Sequence, residues 1–135
     1  MLYLKNPLRW FSHIIVVPLV SSLFIPIIIL DIWMEVYHRI CFPLYKIPYV
    51  RRKSYIQIFD RAKLPYLNWL QKIYCMYCGY ANGTIRYWAQ IAGRTEHYCC
   101  GIQHKKRSLF VEQLHQKDFA KYGDKEDFKK KYCQK

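Results

Sequence analysis

Three thiols and one imidazole in this sequence are placed so that they could bind a metal ion together. Cys75 and Cys78 stand close together in the stretch CMYCGYANG, and a glycine follows the second thiol. Two thiolates at this spacing can bind one ion if the chain turns back on itself, and glycine permits the backbone conformation that such a turn needs. Asn82-Gly83 adds a turn signal. We therefore expect a metal-binding knuckle here.

A tetrahedral site needs two further ligands, and the stretch RTEHYCCGIQH, residues 94–104, offers them. If a helix runs through this stretch, Cys100 and His104 share one face. The predicted ligands are Cys75, Cys78, Cys100 and His104. Cys99 and His97 are alternatives for the last two, and Glu96 could hydrogen-bond a ligand or, as an alternative, act as one.

Zinc suits a closed site of three thiolates and one imidazole, and iron or an iron–sulfur cluster is the alternative. A redox dithiol would need a helix N-terminus beneath its first cysteine, whereas here the cysteines follow the helix-like run YLNWLQKIY. Cysteines that simply pack as small apolar side chains are the other alternative. A domain this small often needs a staple, and that favours the metal.

A second group of polar side chains follows the apolar N-terminal segment. Asp31, Glu35 and His38 stand at positions i, i+4 and i+7, so a helix through them would place all three on one face. Glu-x-x-His is also half of the di-iron carboxylate signature of helical bundles. The pattern allows a second metal centre, and the alternative is a polar helix end that hydrogen-bonds the following loop.

Residues 14–30, IIVVPLVSSLFIPIIIL, form an uncharged apolar run that predicts a membrane anchor. A helix from Trp10 to Leu30 would be about 31 Å long, close to the hydrocarbon thickness of a bilayer. Pro18 and Pro26 tend to kink such a helix, which leaves two forms open. We favour a spanning helix over a re-entrant or in-plane anchor. The absence of a small-x-small cleavage site after the run argues against a secretory signal peptide.

Aromatic and basic residues alternate in VYHRICFPLYKIPYVRRK, residues 36–53. This composition predicts an interfacial belt whose basic stems reach lipid phosphates. The expected contacts with anionic headgroups are Arg39, Lys46, Arg51, Arg52 and Lys53. The surplus of Lys and Arg on this side of the anchor predicts a single-pass protein of the inner membrane with a cytoplasmic C-terminal domain. Its cysteines would then lie in a reducing compartment.

The chain carries a net charge of +13, of which residues 1–50 contribute only +2. Together with the motifs above, this asymmetry predicts four segments in the chain. Residues 1–35 are the membrane anchor, with its span at about 10–30, and residues 36–53 are the belt. Residues 54–104 are a Cys/His metal-binding helical domain, and residues 105–135 are a basic helical tail. The predicted fold is mainly α, an N-terminal membrane helix followed by a small helical domain stapled by metal. In the tail, an amphipathic helix through Phe110, Leu114 and Phe119 should end at Gly123, and Asp124 should cap a second helix.

The stretches DIWMEVYHRICFPLYKIP, CMYCGYANG, RTEHYCCGIQH and FAKYGDKEDF together resemble a family of small, uncharacterised bacterial membrane-associated proteins. The resemblance covers most of the chain from Asp31 onward. Its pattern, C-x-Y-C-x-Y-x-N-G followed by R-T-E-x-Y-x-C-x-I-x-H, coincides here with the four predicted ligands and Glu96. Cys99 stands where that pattern has a bulky aromatic residue, and Gly101 where it has proline. The resemblance implies the same ligand choice, with Cys99 as the spare thiol, and no particular reaction.

The sequence holds no phosphate-binding glycine loop, serine-nucleophile motif or paired acidic dyad. We therefore expect a non-catalytic accessory or interaction module at the cytoplasmic face of a membrane. Its expected partners are anionic lipid headgroups and a membrane protein, and nucleic acid is not expected. The alternative is an iron-containing electron-transfer protein built on the CxxCGY knuckle, with the ExxH pattern as a further metal centre. A third possibility is a membrane-surface binder whose cysteines only pack.

Overall fold

The computed structural model describes the backbone of residues 7–133 and the side chains of residues 11–133. Within that range the protein is mainly helical, as predicted, and no strand forms; one isolated parallel bridge joins Ile102 and Ala120. The helices are α1 (Pro7–Ser22), α2 (Phe24–Leu44), α3 (Trp69–Cys99) and α4 (Lys125–Phe128). Shorter turns are 3-10 helical at Arg52–Ser54, Arg61–Lys63 and Leu114–Asp118, and π-helical at Lys129–Cys133.

The first two helices form one long apolar segment that is interrupted at Leu23. Pro26 has no N–H to donate to the carbonyl of Ser22, so the hydrogen-bond ladder is broken at this point. The segment Phe11–Leu44 is long and apolar enough to cross a membrane. Its most apolar stretch of 18 residues has a mean hydropathy of 2.5 and is not buried against the rest of the protein. The predicted apolar N-terminal helix is therefore present. The side chain of Trp10, predicted to mark its near end, lies outside the described residues.

Half of the predicted interfacial belt, residues 36–44, belongs to α2. The helix continues over Pro43 and ends at Leu44, so this part of the belt is helical. His38 and Phe42 are fully buried rather than lying on a surface. The reason is that this part of α2 packs against α3, so its aromatic residues fill a protein core.

α3 is a 31-residue helix that runs without interruption through the predicted knuckle. Its start is capped by Gln71, whose side-chain oxygen accepts a hydrogen bond of 3.1 Å from the backbone N–H of Asn68. Cys75 and Cys78 lie in its N-terminal third, one helical turn apart, and Gly83 is in its interior. The predicted knuckle loop and the predicted Asn-Gly turn are therefore both wrong.

Two of the three glycines inside α3 lie where another part of the chain passes directly over the helix. A Cβ atom at Gly79 would lie 2.6 Å from the carbonyl oxygen of Gln57, and one at Gly83 would lie 2.8 Å from that of Tyr55. Side chains are excluded at such distances, so only glycine permits the approach. We call the passing segment, residues 45–68, the crossover.

The helices α2 and α3 lie side by side and run in the same direction. At one end Phe24 contacts the rings of Tyr77 and Tyr80, and at the other the rings of Tyr45 and Tyr98 are 4.9 Å apart. Because the pair is parallel, the crossover must return along it from the end of α2 to the start of α3. The buried core joins all three segments and contains Phe42, Val50, Tyr87 and Ile91.

α3 ends at Cys99, and the helix expected to continue to His104 does not form. Gly101 adopts a left-handed backbone with φ of 60°, a conformation that terminates helices and that larger residues resist. Cys100 and His104 therefore do not share a helical face. The sequence reasoning overlooked this glycine as a stop signal.

The tail folds back on the end of α3 with less helix than predicted. Residues 105–113 form no helix, and Leu114, expected on an apolar face, is 80% exposed. Phe119 is buried beside His97 and His115. Asp124 caps α4 as predicted, because its side chain accepts a 2.9 Å hydrogen bond from the N–H of Asp127.

Candidate functional site

A cluster of polar side chains lies between α2, α3 and the crossover, and we call it the polar layer. Asp31, Glu35 and His38 share one face of α2, as their spacing predicted, and that face is turned toward α3. Asp31 and His38 are buried, whereas the side chain of Glu35 is 20% exposed. The remaining members of the layer are Arg52 from the crossover and Tyr80, Tyr87 and Trp88 from α3.

Asp31 is the most heavily hydrogen-bonded member of the polar layer. The two terminal nitrogens of Arg52 donate to its two carboxylate oxygens, at 2.7 and 2.5 Å. Tyr80 donates to the same carboxylate at 2.8 Å and the indole of Trp88 at 3.4 Å. The bidentate pairing raises the pKa of the Arg52 guanidinium, and burial together with the bond to Asp31 raises the pKa of the Tyr80 phenol. Both donors therefore keep their protons at neutral pH.

Glu35 joins the same layer to the helix surface. Arg39, one turn along α2, donates through Nε to one carboxylate oxygen at 2.8 Å, and the hydroxyl of Tyr87 donates to the other at 2.9 Å. A terminal nitrogen of Arg52 lies 3.8 Å away. Burial raises the pKa of the Tyr87 phenol, and the bond to Glu35 raises it further. Tyr87 thus remains a neutral donor.

His38 is an inner member of a directed chain of hydrogen bonds. Its Nε2 accepts from the backbone N–H of Val50 at 3.1 Å, so the ring proton is assigned to Nδ1. Nδ1 lies 2.9 Å from the hydroxyl of Tyr87, which itself donates to Glu35. The chain therefore runs from Val50 through a neutral His38 and Tyr87 to the carboxylate of Glu35. It ties the crossover, α2 and α3 to one another.

The polar layer can hold helices together, and its geometry offers little to a metal ion. Each oxygen of Asp31 and Glu35 accepts at least one hydrogen bond, and both nitrogens of His38 have protein partners. The arrangement corresponds to the polar helix end that was the alternative to a second metal centre. The polar layer differs from that alternative in one respect. The side chains of Asp31, Glu35 and His38 have partners on α3 as well as in the following loop.

The four predicted metal ligands do not come together. Cys75 and Cys78 lie near the start of α3, and Cys100 and His104 lie beyond its end. Cys78 and Cys99 are 21 positions apart in α3, which corresponds to about 32 Å along the helix axis. In the described part of the chain, no three side chains among His, Cys, Asp and Glu form a group that could hold a metal ion.

His104 is placed beside the other predicted residue of this region, Glu96, rather than beside the cysteines. Its Nε2 lies 3.8 Å from the Glu96 carboxylate, which also pairs with Nε2 of His115 at 2.7 Å. The side chain of Gln116 donates to the same carboxylate at 2.7 Å. The His115 ring packs against Gly93, where a Cβ would lie 2.9 Å away. This group fastens the tail to α3.

The basic residues predicted to contact lipid fall into two groups. Arg52 is turned inward against Asp31, and Arg39 is paired with Glu35 although its side chain is 71% exposed. Lys46, Arg51 and Lys53 are exposed on the crossover. Three of the five cations are therefore placed on the surface of the crossover, and Arg39 lies at the edge of the polar layer.

Sequence reasoning missed the partners of the polar layer on α3. Tyr80 and Tyr87 are seven residues apart, which places them on one helical face two turns apart. That spacing is visible in the sequence only if the helix is assumed to continue through Gly79 and Gly83. Treating these glycines as turn residues hid the signal.

Comparison of the whole chain with protein-family models, with curated proteins and with solved structures finds no match. The resemblance described from the sequence therefore stays a prediction.

Proposed function

We propose that this protein is a membrane-anchored accessory or interaction module that acts without catalysing a reaction. The observation that supports the proposal best is the apolar segment Phe11–Leu44, which is long enough to cross a bilayer and whose most apolar part is not buried. Exposed apolar surface on this scale is typical of membrane or protein contact sites rather than of surfaces facing water. The anchor would hold a basic domain at an anionic membrane face, which the positive net charge of +13 also favours.

The polar layer supports the non-catalytic part of the proposal. The guanidinium of Arg52 pairs with Asp31, and the imidazole of His38 is hydrogen-bonded to Val50 and Tyr87, so the layer fixes α2 against α3 and the crossover. We infer that it couples the anchor rigidly to the rest of the chain. Zinc or iron is not part of this proposal, because the predicted ligands lie at opposite ends of α3. The cytoplasmic placement of the C-terminal domain and a membrane protein partner are carried over from the sequence as proposals.

Membrane fractionation of the full chain tests the anchor. The wild-type protein should stay with the membrane pellet after an alkaline carbonate wash. Replacing both Ile15 and Leu19, exposed residues of α1, by arginine should release it, since each charge at the bilayer centre costs about 2.5–3.5 kcal/mol. The matched control places the same two arginines at Ala89 and Gln90, exposed positions of α3, and should remain bound.

Two results would contradict the proposal: a wild-type protein that washes off the membrane, or an α1 variant that stays on it. The side of the membrane is tested separately with a C-terminal reporter that is active only in the cytoplasm. Activity of that reporter supports the proposed orientation, and its absence with intact fusion protein overturns it.

A further inference from the structure

α2 has a second face that the polar layer does not use. It is formed by apolar residues spaced three or four positions apart: Ile25, Ile29, Ile32, Val36, Ile40 and Leu44. These residues are between 44% and 74% exposed, and the neighbouring Trp33 is 71% exposed. We call these seven residues the α2 stripe. It continues the apolar surface of α1 to the last residue of α2.

The stripe lies on the opposite side of α2 from α3. At 100° per residue, its midpoint falls roughly opposite the midpoint of Asp31, His38 and Phe42, which face the core. α2 therefore lies between α3 on one side and whatever covers the stripe on the other.

The lengths of the helices do not fit a single upright membrane helix. α1 has 16 residues and is about 24 Å long, which is shorter than the hydrocarbon layer of about 30 Å. The apolar segment Phe11–Leu44 has 34 residues and would be about 51 Å long, well beyond that thickness. The break at Leu23 divides this excess between two helices that can take different directions.

α3 also argues against an upright α2. The hydroxyl of Tyr77 donates to the carbonyl of Val20 at 2.8 Å, so α3 already lies beside the end of α1 at this residue. If residues 10–30 stood upright in the membrane, the preceding turns of α3, with Lys72, would lie at hydrocarbon depth. The Arg61–Lys63 turn, which packs on α3, would lie there with them. Charged side chains are strongly disfavoured at that depth.

We propose that α2 lies along the membrane surface, with the α2 stripe inserted at the boundary between headgroups and acyl chains. The break at Leu23 turns α1 into the bilayer, and α3 and the crossover lie on the side away from lipid. This inference rests on the proposed membrane anchoring and adds its geometry. It also accounts for an apolar face that extends far beyond the length of a spanning helix.

The proposed occupant of the stripe is a bilayer that contains anionic phospholipid. The stripe is continuous with α1, which is proposed to enter that bilayer. At its edge is an open cleft of about 410 Å³, lined by Asp31, Ile32, Glu35, Val36, Arg39 and Arg52. Ile32 and Val36 belong to the stripe, and Arg39 extends beside them with its side chain 71% exposed. Cations flanking an apolar face are typical of helices that lie in the interface plane.

Spin labels along the stripe test the proposal in vesicles of phosphatidylcholine and phosphatidylglycerol. Single cysteines at Ile29, Val36, Ile40 and Leu44 are labelled in a variant whose six native cysteines are serine. We expect oxygen to relax all four labels more strongly than a water-soluble nickel chelate does, because all four contact lipid. A control label at Ile85, an exposed residue of α3, should favour the nickel chelate.

Three results would overturn the proposal. Labels that change from lipid-like at Ile29 to water-like at Leu44 would mean an upright α2, and water-like labels throughout would leave the stripe out of the membrane. Strong spin–spin broadening with low access to both relaxants would mean that a second copy covers the stripe.

Polarised infrared spectroscopy of the wild-type chain in oriented bilayers gives an answer that needs no substitution. α2 and α3 contribute 21 and 31 helical residues against 16 in α1. The amide I dichroism should therefore report an average helix axis closer to the membrane plane than to its normal, and an axis near the normal would overturn the inference. If the wild-type chain did not float with the vesicles in a density gradient, the proposed membrane anchoring itself would be contradicted.

Discussion

Replacing Tyr87 by phenylalanine removes the hydroxyl that links His38 to Glu35 and leaves the ring in place. Both Tyr87 and His38 are fully buried, so no water can take over the lost contact with Nδ1–H. An orphaned buried donor costs about 1–3 kcal/mol, and the partly exposed Glu35 loses a bond that contributes about 1 kcal/mol. We therefore expect the free energy of unfolding to fall by about 2–4 kcal/mol.

Tyr49→Phe is the matched control for this experiment. The hydroxyl of Tyr49 reaches the same carboxylate of Glu35, but at 3.5 Å and from a residue that is 50% exposed. Its removal should change the free energy of unfolding by no more than about 0.5 kcal/mol. Both variants are unfolded in mild detergent and followed by far-UV circular dichroism. Equally small losses in the two would refute the directed hydrogen-bond chain.

Three further predictions follow from the same contacts. Gly83→Ala should destabilise the protein by about 1–3 kcal/mol in the same unfolding assay, because the added Cβ meets crossover backbone, although alanine is the better helix former; a stabilised variant would contradict the close approach. Burial raises the pKa of the Tyr87 phenol, so the contribution of Tyr87 to the free energy of unfolding is complete below the unfolded-state pKa of about 10 and falls as pH rises above that value. Tyr87→Phe should reduce this alkaline loss of stability when unfolding is measured at a series of pH values. An unchanged dependence of stability on pH would exclude Tyr87 as the source of the loss. Cys75→Ser and Cys100→Ser should each leave the zinc content of the purified protein unchanged in elemental analysis, since the two thiols lie at opposite ends of α3 and do not share an ion; loss of one zinc per chain in each single variant, with no further loss in the double variant, would restore the four-ligand centre.

The sequence predicted what depends on local periodicity. The apolar run at residues 14–30 is helical except at Leu23. Asp31, Glu35 and His38 share a face because positions i, i+4 and i+7 align in any α-helix. The Asp124 cap is local as well, since it needs only the N–H of Asp127, three residues ahead. Each of these features is decided within a few turns of the chain.

The features that the sequence did not predict depend on contacts between distant segments. Gly79 and Gly83 serve equally well in a turn and in a helix approached by another backbone, and only the path of the crossover distinguishes the two. The same ambiguity made Cys75 and Cys78 resemble a knuckle. Arg52 could not be assigned to Asp31, 21 residues away, without knowing that the crossover returns along α2.

The central claim is that α2 lies parallel to α3 and is held against it. Photo-cross-linking at residue 98 tests this claim most directly. Benzoylphenylalanine in place of Tyr98 should capture the peptide that contains Tyr45, because the two rings are 4.9 Å apart in the folded protein. Mass spectrometry of the digested, membrane-bound protein identifies the captured peptide. Capture of the Val20–Phe24 region instead, or only of a second copy of the chain, would contradict the account.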